Sequence, residues 1–120
     1  MPSVMKEISK FTKREIDYLF HHARRIARTA MCTILVAPRQ KKEFGRVLII
    51  ASRKVGNAPE RNLIRRRIKS IFYEEKLFAL NFDCVVIVYK KMVTLPFDQL
   101  KSLLLSVYPK NLPENEDPVS

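Results

Sequence analysis

The residues best placed to do chemistry lie between Arg53 and Lys69, in the run RKVGNAPERNLIRRRIK. There seven basic side chains (Arg53, Lys54, Arg61, Arg65, Arg66, Arg67, Lys69) meet a single acid, Glu60. Their chemistry is recognition and not bond breaking. A guanidinium presents a planar fork of donors that fits phosphate oxygens and base edges. At about 100° per residue on a helix, Asn62, Arg65, Arg66 and Lys69 gather on one side, while Ile64, Ile68, Ile71 and Phe72 gather on another. Arg61 falls at the seam, and Arg67 on the opposite flank beside Leu63. The helix start at Ala58 to Glu60 adds free N–H groups and the positive end of the dipole. A merely solvated face mixes signs for i, i+4 pairing. This one holds almost no acid, which predicts a phosphate backbone as its partner.

No group in the chain suggests bond cleavage by the protein. A metal-dependent nuclease needs clustered carboxylates, whereas the 12 acids here are scattered and three of them fall in the last twelve residues. A histidine ribonuclease needs two separated acid/base groups, and only the neighbours His21 and His22 are present. Cys32 and Cys84 each lie in an apolar stretch outside any C-x-x-C pair, which predicts buried reduced thiols and no metal cage. Lys and Arg number 23 against those 12 acids, a net charge of +11. A compact body with that much like charge repels itself unless a polyanion lies alongside. Charges run through the first 30 residues, so no signal peptide is expected. The longest apolar runs, Val47 to Ala51 and Cys84 to Tyr89, are far too short to span a membrane. A cytoplasmic protein with no membrane partner is expected.

These cations need a frame, and 120 residues with 47% apolar content suffice for one domain with its own core. Thr12 caps a first helix that ends by Arg25 at most, with Ile16, Leu19, Phe20 and Ala23 on one apolar face. Met31 to Ala37 reads as a buried strand stopped by Pro38, and Arg39 to Glu43 as a hairpin connection. Arg46 to Val55 reads as a second long strand, in one piece or two, broken by Gly56 and Asn57. Pro59 suits the first turn of helix two, about Ala58 to Glu75. Cys84 to Tyr89 is a third strand, and Pro96 opens a third helix with Leu100, Leu103, Leu104 and Val107 on one face. Residues 1–108 are expected to form a single nucleic-acid-binding domain, and 109–120 an acidic tail with three prolines, expected to be disordered. The order helix, strands, helix, strand, helix predicts an α+β sandwich of helices against a small sheet.

The run RVLIIASRKVGNAPERNLIRRRIKSIF, Arg46 to Phe72, closely resembles the signature region of the protein subunit of bacterial ribonuclease P. Ser52, Arg53, Lys54, Val55, Gly56, Asn57, Ala58, Arg61 and Asn62 match that family's motif in order, and Arg65, Arg66 and Lys69 fall where further basic residues belong. Phe20 on the first helix also has a counterpart. The chain departs at Leu63, where the family usually has a basic residue, and at Lys69, usually Arg. The resemblance implies a small α/β sandwich with a four-stranded sheet and a left-handed βαβ crossover, like the second domain of ribosomal protein S5.

It further implies a division of labour in which a large RNA, holding the catalytic Mg2+ ions, removes the 5′ leader of precursor tRNA. The protein, monomeric and one per RNA, assists without catalytic residues of its own. Arg53, Lys54, Asn57, Arg61, Asn62, Arg65, Arg66 and Lys69 would contact the ribonuclease P RNA. A cleft between the first helix and the sheet would hold the leader through Ile16, Phe20, Ile34, Ile50 and Ser52. Ile16, Ile34 and Ile50 stand where aromatic or hydroxyl-bearing residues are common, so the contacts there are expected to be mainly apolar and electrostatic. Three other readings fit a basic amphipathic helix: a ribosome-associated RNA-binding protein with no role in cleavage, a DNA-binding protein, and a membrane-surface or calmodulin-type helix, the last disfavoured because the domain's own core needs its apolar side. The second lacks a helix-turn-helix partner, because strand residues precede Gly56.

Overall fold

Each long helix of the structure, a computed structural model that describes residues 4–108, starts at a signal written in the sequence. A short helix α1 (Val4–Glu7) precedes α2 (Lys13–His22). At the start of α2 the Thr12 hydroxyl accepts from the Glu15 N–H at 3.1 Å, and the Glu15 carboxylate accepts from the Thr12 N–H at 2.8 Å. α2 ends sooner than expected, because Ala23 is extended and β1 (Arg24–Arg28) begins at once. The three arginines of RRIAR hide the strand: its apolar pair, Ile26 and Ala27, packs against the core. β2 (Cys32–Pro38) follows where Met31 to Ala37 is expected, one residue later at each end, with Pro38 its last residue and not its stop.

The expected long strand from Arg46 to Val55 is only β3 (Val47–Ile50), followed by a tight 3-10 turn over Arg53–Val55 that buries Val55. Asn57 then caps α3 (Ala58–Glu74), exchanging 2.9 Å bonds with Glu60 in both directions. β4 (Phe82–Val88), a single-turn α4 (Lys90–Val93) and α5 (Phe97–Val107), which opens at Pro96, complete the described chain. The predicted tail, 109–120, lies outside the described residues.

The sheet is four-stranded in the order β1-β2-β4-β3. β2 runs antiparallel to both β1 and β4, while β3 lies parallel to β4 and reaches it through α3 as a βαβ unit. One face carries the main core. Cys32, Ile34, Val36, Val47, Cys84, Val86 and Val88 meet Ile64, Ile68, Ile71 and Phe72 of α3 and Leu100 and Leu104 of α5. Burial pushes the thiols of Cys32 and Cys84 above their ordinary range, so both are packing groups. The other face carries a smaller cluster in which Leu19 of α2 sits on Ala37 and Val85, beside Leu35, Leu48, Ile50 and Ile87.

Arg46 fastens α2 to this second face. It is 0% exposed, and its Nη1 donates to the Glu15 carboxylate at 3.0 Å and to the Lys10 carbonyl at 2.7 Å. Nη2 stands 4.0 Å from the Asp83 carboxylate, and the guanidinium lies 4.2 Å above the Phe11 ring. The hydrogen bond from Arg46, with the Thr12 cap, holds the Glu15 carboxyl down at about 2. Asp83 is pushed upward by desolvation, although the backbone N–H groups of Arg46 and Gln40 donate to it. Gly45, just before, runs so close to β4 that a Cβ there would fall 2.3 Å from the Phe82 carbonyl oxygen.

Candidate nucleic-acid interface

The amphipathic division of α3 is as its spacing predicts. Ile64, Ile68, Ile71 and Phe72 are buried, Asn62 and Arg66 are exposed, and Arg61, Arg65 and Lys69 are half-buried. Glu60, the acid nearest these cations in sequence, is engaged in the cap. Among the described residues, no carboxylate pairs with Arg53, Lys54, Arg61, Arg65, Arg66 or Lys69. Their charge is therefore available to an outside anion. Arg65, Arg66 and Lys69 line an open cleft of about 410 Å3 with Ser9, Leu48 and Ile49, between α3 and the edge strand β3. Arg65 also serves the fold, because its Nη2 donates to the Ala51 carbonyl at 3.1 Å and ties the end of β3 to the helix.

Arg53, Lys54 and Asn57 are exposed on the turn that leads into α3. The structure adds Lys90 and Lys91 to them, both exposed on α4, which packs against that turn and against α3. Sequence reasoning missed this pair because their proximity depends on pairing. β3 and β4 run parallel with Ile50 opposite Ile87, so the chain leaves both strands at the same end of the sheet. The Lys-Lys doublet after Tyr89 is the only local sign of it.

The five residues assigned to the cleft beside α2 are brought together only in part. Ile50 lies on the sheet face beneath α2, and Ile16 is half-exposed on the helix. Phe20 is 44% exposed and so is not a core residue, although it falls at the spacing of the apolar face. Ser52 is exposed, but beyond the strand end and at the head of the 3-10 turn, so strand alternation does not carry to it. Ile34 must be withdrawn: it is 0% exposed and faces the α3 core. In an apolar run such as CTILVAP either alternate set could face α2. The pairing selects Thr33 and Leu35, opposite Ile87 and Val85. The floor is thus Leu35, Leu48, Ile50 and Ile87, with the buried Thr33 hydroxyl hydrogen-bonded to the Tyr89 hydroxyl at the end away from Leu19. Tyr18, exposed on α2 and stacked on His22 at 4.1 Å, is a further aromatic not foreseen.

Phe20→Ala separates the two uses of an aromatic ring. Stability should move by less than about 0.5 kcal/mol in urea unfolding, as for a surface substitution. Protection of a bound single-stranded oligonucleotide in footprinting should decline, because an exposed ring offers about 1 to 3 kcal/mol of stacking per base. An unfolding midpoint that drops sharply would return Phe20 to the core.

Comparison with known proteins agrees with this architecture. A family model for ribonuclease P matches residues 6–110. The ribonuclease P protein component of Halalkalibacterium halodurans is 35% identical over 78 residues, 64% of this chain and just under two thirds, 66%, of that protein. That of Streptococcus agalactiae is 30% identical over 94 residues, covering 78% of this chain and 84% of its own. The same fold occurs in the ribonuclease P proteins of Staphylococcus aureus (TM-score 0.70, 22% identity, 83% of this chain and 91% of that one) and Thermotoga maritima (0.69, 23%, 82% and 92%). With the matched stretch running from α1 through α5 and including every cation of the α3 face, the chain belongs to the ribonuclease P protein family.

Proposed function

We propose that the cationic face of α3 binds a catalytic ribonuclease P RNA while the α2 side of the sheet holds the 5′ leader of precursor tRNA, and that the RNA itself breaks the phosphodiester bond. The observation that carries the reading is the row of cations on α3 and its leading turn, unpaired with any described carboxylate and sharing one surface with the family's signature residues. Uncompensated cations beside a folded RNA neutralise closely packed phosphates and release their counterions on binding.

Mg2+ is the ion such a reaction calls for, but this interface does not fit it. A hard cation takes carboxylate, carbonyl and water oxygens, whereas the face presents arginine, lysine and asparagine side chains. The RNA phosphates are the fitting ligands. One protein chain per RNA, precursor tRNA as substrate and a cytoplasmic site of action complete the proposal. No helix among the described residues is long and apolar enough to cross a membrane.

Reconstitution with a bacterial ribonuclease P RNA at near-physiological Mg2+ tests it. The protein should restore accurate removal of the leader under conditions where the RNA alone is nearly inactive, and should cut nothing by itself. Cleavage by the isolated protein, or no effect on the RNA, would overturn the reading.

A further inference from the structure

We propose that Arg25 and Arg28 on β1 form a second cationic rim on the α2 side of the sheet, gripping phosphates of a single-stranded leader whose bases lie on the apolar floor. The inference rests on the leader reading above and adds to it a specific pair of phosphate contacts.

The geometry comes from a bulge. β1 pairs with β2 as Arg24↔Val36, Arg25↔Leu35, Ala27↔Ile34 and Arg28↔Thr33, and the register slips by one residue at Ile26. In unbroken alternation, residues three apart point to opposite faces. The extra residue instead puts Arg25 and Arg28 on one face, that of Leu35 and Thr33, and turns Ile26 and Ala27 together toward the α3 core. Re-aiming of side chains in this way is what bulges do near functional sites. Both arginines are exposed.

Two cross-strand rows result, Arg25–Leu35–Val85–Leu48 and Arg28–Thr33–Ile87–Ile50. Leu19 of α2 is seated on Val85 in the first row. The second lies at the end of the floor away from Leu19, where the largely buried Thr33 hydroxyl meets that of Tyr89. β3 leads out of the opposite edge into Arg53 and Lys54. The two edge strands stand about 14 Å apart at three strand spacings, so the β1 arginines lie across the floor from the strand whose end carries the Arg53–Lys54 turn. Arg25 and Arg28 stand one two-residue step apart along the partner strand, about 6.7 Å, a separation comparable to that of successive phosphates in an extended single strand. A charged edge strand also resists edge-to-edge pairing. That role needs no common face, and lysine would serve it as well.

The test uses holoenzyme reconstituted with Arg25→Ala/Arg28→Ala or Arg25→Lys/Arg28→Lys protein, titrated at several salt concentrations with leader-bearing precursor and with leaderless tRNA. The double-alanine protein should bind the precursor about tenfold more weakly, with a log–log salt slope shallower by about 1.4, as expected when two phosphates of a single strand are no longer neutralised. Leaderless tRNA should bind unchanged, and the double-lysine protein should keep most of the slope. An unchanged slope for the precursor, or an equal loss with leaderless tRNA, would overturn the rim. If wild-type holoenzyme binds both RNAs equally, the leader reading fails and the rim with it. If the wild-type preference persists undiminished in the double-alanine protein, only the rim is removed.

Discussion

Arg46→Met should destabilise the fold by about 3 to 5 kcal/mol, the usual consequence of removing one partner from a buried charge cluster. The substitution keeps most of the side-chain volume, so the loss is electrostatic. It leaves Asp83, which is 0% exposed, with two backbone N–H donors but no cation nearby, and removes the guanidinium that bonds Glu15 and caps the Lys10 carbonyl. Urea unfolding at pH 7 should show the midpoint falling with an unchanged m-value. The triple change Arg46→Met/Glu15→Gln/Asp83→Asn should recover a large part of the loss, since no unpaired charge then remains buried. The pH dependence has a definite sign. Glu15 has a folded pKa of about 2 against an ordinary 4.5, so its contribution is present above 4.5 and is lost as the pH falls toward 2. Asp83 is shifted upward, so its ionisation works against the fold and acid relieves it. The gap between wild type and Arg46→Met should therefore narrow between pH 4.5 and 2. A gap that stays constant across that window would show that Arg46 acts through packing alone.

The consequence reaches the proposed leader surface, because Glu15 lies in the first turn of α2 and Leu19, one turn later, is the residue seated on the sheet. Nothing local in the sequence announces this. Arg46 reads as the polar start of a strand and Asp83 as a turn residue. Only the pairing of β3 with β4, residues far apart in the chain, brings the Arg46 backbone N–H within 2.8 Å of the Asp83 carboxylate. α3, by contrast, is largely legible: its Pro59 in the first turn, its buried isoleucines and its cationic face depend on spacing within one helix, and the structure keeps all three. The misreadings arise where a strand carries its information in register. Arginines mask β1, a nearly continuous apolar run conceals which alternate residues of β2 face α2, and β3 stops at Ile50 because the following residues turn to bury Val55. Helical periodicity survives without knowledge of the partner, whereas the facing of a strand does not.

That contrast makes α3 the place where substitution should act on binding without acting on the fold. Arg66 is exposed, and Lys69 lines the cleft beside β3 without an ion-pair partner among the described residues. Arg66→Ala and Lys69→Ala should each make the salt dependence of assembly with the ribonuclease P RNA shallower by about 0.9, and the double variant by about 1.8, as expected for phosphate contacts to duplex-like RNA. Near 0.15 M salt the double variant should bind about ten- to a hundredfold more weakly, with unfolding free energy changed by less than about 0.5 kcal/mol. Arg65→Ala should behave differently, because its guanidinium also holds the Ala51 carbonyl. It should lose binding and, in addition, about 1 kcal/mol of stability for the hydrogen bond. Cleavage at saturating protein should return toward wild type for Arg66→Ala/Lys69→Ala if those residues serve assembly and, as proposed, the bond-breaking groups belong to the RNA. Assembly with an unaltered salt slope in the double variant would remove the α3 face from the interface.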